Sequence, residues 1–123
     1  MPHRVLIVDD SPSILQMVRF TLEGEDFHVL EAADGVLALE TLQAQTEPLD
    51  VIITDLNMPN MNGLEFIRAA RELEDYRFTP ILFLTTEGAQ DRKMEARQAG
   101  ATGWIVKPFE PERLLRVIRK GMT

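Results

Sequence analysis

The sequence predicts a five-stranded, doubly wound parallel α/β domain. Short apolar runs rich in β-branched residues recur five times, a segment with helical spacing follows each, and several of the runs are apolar without interruption. A strand with one wet face alternates, whereas a strand covered on both faces does not. Uninterrupted runs separated by helical segments therefore indicate a parallel sheet between two helical layers.

The first strand is RVLIV, residues 4–8. It runs into Asp9 and Asp10, and then into Ser11 and Pro12, an N-cap followed by a first-turn proline. Ile14, Val18 and Leu22 share one face of the helix that begins there. The second strand is FHVLEA, 27–32; Asp34 and Gly35 open a helix carrying Ala38, Leu39 and Leu42. The third strand is DVIIT, 50–54, after which Pro59 and Gly63 bracket a loop. Gly63, Phe66, Ile67 and Ala70 then keep helical spacing. The fourth strand is PILFL, 80–84, and the helix after it, from Asp91 to Ala99, has few large apolar residues. Gly100 and Gly103 bracket the entrance to the fifth strand, GWIV, 103–106, and Leu114 with Ile118 mark the last helix. The chain shows no internal repeat, linker or low-complexity segment.

Composition sets the limits. A chain of 123 residues, 45% hydrophobic and 27% charged, suits one soluble domain spanning residues 1–123. No apolar run approaches the ~20 residues of a membrane span, and no signal peptide opens the chain, so a cytoplasmic protein without membrane insertion is expected. The absence of cysteine removes disulfides, thiolate metal sites and cysteine nucleophiles. His3 and His28 are too few and too scattered for a histidine metal cluster. The net charge of −7 opposes broad nucleic-acid binding, which requires a basic footprint. The C-terminal end is locally basic: Lys107, Arg113, Arg116, Arg119 and Lys120 outnumber Glu110 and Glu112. A solvated helix face is the simpler explanation and a binding surface the alternative.

In an open parallel sheet the binding crevice lies outside the carboxyl ends of the strands. Those ends carry Asp9 and Asp10, Asp55, Thr85 and Thr86, and Lys107. Alone, the paired aspartates read as a turn or helix cap. With a third carboxylate, a hydroxyl and an ammonium on the same rim, they read as a site. Clustered carboxylates raise each other's pKa and resist joint ionisation, and a hard divalent cation resolves that conflict. Mg²⁺ accepts one or two carboxylates and keeps positions for water and a phosphate oxygen. The reaction that follows is attack of a carboxylate on phosphorus, with Asp55 the best-placed nucleophile. Asp9 and Asp10 would hold the metal, Lys107 would pair with one phosphoryl oxygen and Thr85 would donate to another.

The segments LIVDDS, TDLNMPNMNG, LTTEG and GATGWIVKPF, in this order and spacing, resemble the receiver domains of two-component response regulators, in particular the stand-alone, CheY-like chemotaxis type. The resemblance spans essentially the whole chain. It implies a flavodoxin-like fold and phosphorylation of Asp55 by a histidine kinase. It implies Asp10, Asp55 and the backbone carbonyl of Asn57 as magnesium ligands, with Asp9 acting through water. Thr85 and Lys107 are implied to bind the phosphoryl oxygens, Asn57 and Glu87 to tune hydrolysis, and the Lys107-Pro108 bond to be cis. Trp104 departs from the family pattern, which usually has Tyr or Phe there, a ring that turns inward when the threonine moves. An indole is harder to accommodate inward, and core filling is the competing reading.

Signal output is expected through Thr85 and the TTEGAQ loop, to which Gly88 lends freedom, toward a face that carries Trp104, Arg113, Arg116 and Lys120. An acidic partner helix would fit that face. The expected partners are a histidine kinase and, by resemblance, a flagellar motor switch protein or a phosphatase, with the chain monomeric and its output by protein contact. The expected role is a phosphoacceptor that catalyses its own phosphorylation and dephosphorylation, and not an enzyme in the ordinary sense. A phosphate sink or shuttle is the alternative within the class. A magnesium-dependent phosphohydrolase is a rival from another class, but it needs a second carboxylate where Asn57 stands. A flavin-binding protein is opposed by the acidic DDSPS loop.

Overall fold

The computed structural model describes residues 3–86 and 90–122. Its elements are β1 (His3–Val8), α1 (Pro12–Glu23), β2 (Phe27–Ala32), α2 (Gly35–Ala44), β3 (Val51–Asp55), α3 (Gly63–Glu72), a short 3-10 turn (Glu74–Tyr76), β4 (Ile81–Thr86), α4 (Gln90–Ala99), β5 (Gly103–Lys107) and α5 (Pro111–Met122). The strands form one parallel sheet in the order β2-β1-β3-β4-β5. The chain leaves β1 toward β2 and returns past it to β3. The order therefore reverses between β1 and β3, where a crevice opens at the strand ends.

Two apolar layers flank the sheet. Leu6, Val8, Ile52, Ile81 and Phe83 face α2 and α3, with Ala96 and Ala99 of α4. Val5, Ile7, Val51, Ile53, Leu82 and Leu84 face α1 and α5. Successive strand residues point to opposite layers, so every residue from Val5 to Val8 is fully buried. Each such side chain contributes about 1.5–3 kcal/mol, which makes β1 and β3 the rigid floor of the crevice.

β3, β4 and β5 extend one to two residues beyond their apolar runs. Asp55 pairs with Leu84 and Thr86 with Lys107 in continuing ladders, so these polar residues belong to the strands themselves. α4 is anchored differently from the other helices. It buries Ala96 and Ala99, and its end is held by Arg71, whose Nε and Nη2 donate to the Gly100 carbonyl at 3.0 and 2.8 Å. Gly100 has φ of 116°, and a Cβ there would lie 2.9 Å from the Arg71 side chain, so glycine is required. Small residues and an arginine explain why this helix carries a weak apolar pattern. The 3-10 turn has no apolar period to announce it; it seats Tyr76, whose Oη accepts from the Leu49 N–H at 3.3 Å. Among the described residues no helix is long and apolar enough to cross a membrane.

Candidate functional site

At the carboxyl ends of β1 and β3, carboxylate oxygens of Asp9, Asp10 and Asp55 all lie within 4.8 Å of one another. Asp9 is fully buried, Asp55 nearly so, and Asp10 is exposed. The two adjacent aspartates thus have different settings, one inside the rim and one on it. Asp9 Oδ1 accepts from the Ser11 N–H at 2.9 Å, and its Oδ2 accepts from Lys107 Nζ at 3.2 Å. The turn reading of the pair is therefore also correct in part: Asp9 bridges the turn into α1, where Ser11 caps through Ile14 N at 3.4 Å and Pro12 takes the first helical position.

Lys107 Nζ also lies 3.3 Å from Asp55 Oδ1. That oxygen accepts from the Leu56 N–H at 2.9 Å as well, so both contacts fall on one oxygen of the carboxylate. Burial is the main cause pushing the Asp9 carboxyl above its ordinary 3.8, and the nearby Asp55 charge adds to it; the Ser11 N–H and Lys107 act against both. Among the described residues, the three clustered carboxylates are met by the Lys107 ammonium, which leaves an excess of negative charge at the crevice. The donors are all hard oxygens, which fits a hard divalent cation and no thiolate or imidazole metal.

The sheet brings Thr85 to the same rim, one residue beyond Leu84, the register partner of Asp55. Thr85 is buried, and its hydroxyl donates to the Thr86 carbonyl at 3.1 Å. The Lys107-Pro108 peptide bond is cis, as the resemblance implied. Asn57 stands exposed in the loop after β3. Glu87 and Gly88 lie outside the described residues.

That loop is pinned from two sides. Asp34, the N-cap of α2, accepts from Leu37 N at 2.9 Å and from Asn60 Nδ2 at 2.8 Å. These two hydrogen bonds, the backbone one first, hold its carboxyl below the ordinary 3.8. Asn60 takes φ of 67°, and Gly35 N–H donates to the Met61 carbonyl at 3.3 Å. At the far end Gly63 packs so closely that a Cβ would sit 2.1 Å from the Asp55 carbonyl oxygen. Gly63 marks a loop end in the sequence, but its contact with the Asp55 backbone has no sequence signal, because it depends on how α3 seats against β3. Arg92 of α4 was equally hidden: its Nη2 donates to Asn57 Oδ1 at 3.3 Å. Nothing in the segment QDR distinguishes it from a solvated helix start.

Trp104 does not fill the core. It is 37% exposed, its ring 6.1 Å from that of Phe83, with Lys93 Nζ 5.0 Å from its centroid. Trp104, Arg113, Val117 and Lys120 line a groove of about 410 Å³ between β5 and α5. Arg116 lies instead on an adjoining groove with Phe109, and Arg113 borders both.

A sequence model of the family described as response regulator receiver domain matches residues 5–119. The chemotaxis protein CheY homolog of Campylobacter jejuni is 42% identical over 111 residues, covering 89% of this chain and 84% of that protein. The chemotaxis response regulator CheY4 of Vibrio cholerae superposes with a TM-score of 0.93 at 50% identity, covering 98% of this chain and 99% of that one. The receiver domain of a sensor histidine kinase from Pseudomonas aeruginosa, solved with a magnesium ion coordinated in its active-site cleft, has a TM-score of 0.89 at 27% identity, over 99% and 98% of the two chains.

Proposed function

The chain belongs to the response regulator receiver domains, of the CheY type, and from that premise we propose that it accepts a phosphoryl group on Asp55 from a histidine kinase and signals by protein contact. The observation that carries this reading is the position of Asp55 at the end of β3, with Asp9, Asp10 and Lys107 converging on it. Lys107 and Leu56 N–H both engage Oδ1, so Oδ2 is the oxygen that attacks. The new Asp55 O–P bond forms as the P–N bond of the phosphohistidine breaks, and the electron pair stays with the imidazole.

Asp9, Asp10, Asp55 and the Asn57 carbonyl would hold Mg²⁺, whose charge would offset that of the phosphoryl oxygens. The protein's own residues supply the rest. Lys107 is already beside the acceptor and presents its ammonium to a phosphoryl oxygen without a large movement. The Thr85 hydroxyl exchanges the Thr86 carbonyl for another phosphoryl oxygen. Reversal needs only water, which attacks phosphorus and returns the electron pair to the carboxylate. Asn57 has no titrating side chain, so the position two residues beyond Asp55 cannot serve as the acid/base of an efficient phosphohydrolase.

Output passes to the groove formed by Trp104, Arg113 and Lys120, where an acidic helix fits the cationic rim. The partner is of the chemotaxis class, a motor switch protein or phosphatase, and the setting is the cytoplasm, with the chain acting as one monomeric domain. Incubation with Mg²⁺ and a small acyl phosphate, followed by intact mass, tests the reading. One phosphoryl adduct is expected on the wild type and none on Asp55→Asn.

A further inference from the structure

Arg92, the third residue of α4, reaches the loop that follows Asp55 and donates to Asn57 Oδ1 at 3.3 Å. A guanidinium has only donors, so it pairs with the oxygen branch of the amide and with nothing else. That contact therefore sets the orientation of Asn57. Oδ1 faces α4, and Nδ2 takes the opposite branch of the planar group. Asn57 is exposed in a loop and stands two residues beyond Asp55; without a partner its side chain would exchange among rotamers. The next residue of α4, Lys93, lies over Trp104. Two consecutive residues thus attach α4 to the acceptor loop and to β5.

We propose that Arg92 is a positioning residue for loss of the phosphoryl group, holding the Asn57 amide in the one orientation that orders the attacking water. The inference rests on Asp55 being the phosphoryl acceptor. In the step concerned, a water oxygen bonds to phosphorus and the Asp55 O–P bond breaks. The electron pair returns to the carboxylate, inorganic phosphate departs, and the water's proton goes to phosphate or solvent. Asn57 exchanges no proton; it offers a fixed hydrogen-bonding group, and Arg92 acts only through it. One ordinary hydrogen bond supports an effect of about two- to tenfold on the rate.

The test loads wild type, Arg92→Ala, Asn57→Ala and the double variant with a small acyl phosphate and Mg²⁺. The donor is then removed, and the decay of the phosphorylated species is followed by intact mass. Arg92→Ala is expected to decay about two- to tenfold more slowly than wild type. The double variant should match Asn57→Ala, because Arg92 then has nothing to hold. Arg92→Lys, which keeps a donor, should fall between wild type and Arg92→Ala. Unchanged urea midpoints would show that the effect is not one of folding. Decay of Arg92→Ala at the wild-type rate overturns the inference, as does an Arg92→Ala effect undiminished in the Asn57→Ala background. A wild type that takes up no phosphoryl group overturns the acceptor reading, and this inference with it.

Discussion

Asp9 and Asp10 are neighbours in sequence and opposites in environment, and their substitutions should separate accordingly. Asp10 is exposed, on the rim of the crevice. Asp10→Asn should therefore leave metal-free stability within about 0.5 kcal/mol of wild type in urea denaturation, while Mg²⁺ affinity, read from Trp104 emission, falls. Gly63 presents the reverse case. A methyl group 2.1 Å from the Asp55 carbonyl oxygen must push α3 or β3 aside, so Gly63→Ala should cost about 1–3 kcal/mol or more. It should also slow phosphoryl uptake, because the displaced backbone is that of Asp55, the proposed acceptor. Equal uptake at equal occupancy of the folded state would show that Asp55 does not depend on that packing.

The helix caps adjacent to the site each carry stability that can be measured. Asn62 and Glu65 form a reciprocal box at the start of α3, with hydrogen bonds of 2.9 and 3.1 Å. Asn62→Ala should lower stability by about 1 kcal/mol, measured as a shift in urea midpoint at unchanged slope. Asp34 joins α2 to the loop after β3, and its hydrogen bonds hold its carboxyl below the ordinary 3.8. A group lowered on folding contributes stability that is fully present above the unfolded value and is lost as pH falls through the folded one. The gap in stability between wild type and Asp34→Asn should thus be widest near neutrality and close below 3.8; a gap that widened with acid would contradict the capping role. These elements also show what could be read beforehand. The five strands, the five helices and the Ser11 and Asp34 caps follow from local pattern, because apolar period and cap chemistry are short-range. The 3-10 turn, the Arg71 clamp on Gly100 and the Arg92 contact were not legible. Each is a long-range polar contact whose partners lie 29 to 35 residues apart, or a turn without a period.

Across the whole molecule, the fold gathers residues from four separate strand ends onto one rim and leaves the apolar layers on either side to hold them still. That Asp9, Asp10, Asp55, Thr85 and Lys107 share one rim could be read from the sequence, because a parallel sheet places the carboxyl ends of its strands together. The family resemblance already implied different roles for Asp9 and Asp10; the burial of the one and exposure of the other could not be read, since burial is a tertiary property. Ile53 is fully buried in the central strand that ends in Asp55. Ile53→Ala should destabilise by about 2–5 kcal/mol, with phosphoryl uptake per folded molecule largely kept; uptake lost at full folding would place Ile53 in the chemistry. On the proposed function, Asp55 carries the phosphoryl group as an acyl phosphate. Borohydride reduces an acyl phosphate to an alcohol but leaves a carboxylate intact, so peptide mapping after reduction of the loaded protein locates the bond. Reduction is expected at position 55, dependent on Mg²⁺ and confined to that residue; reduction at another position, or none in a protein that carries the adduct, would contradict an acyl phosphate on Asp55.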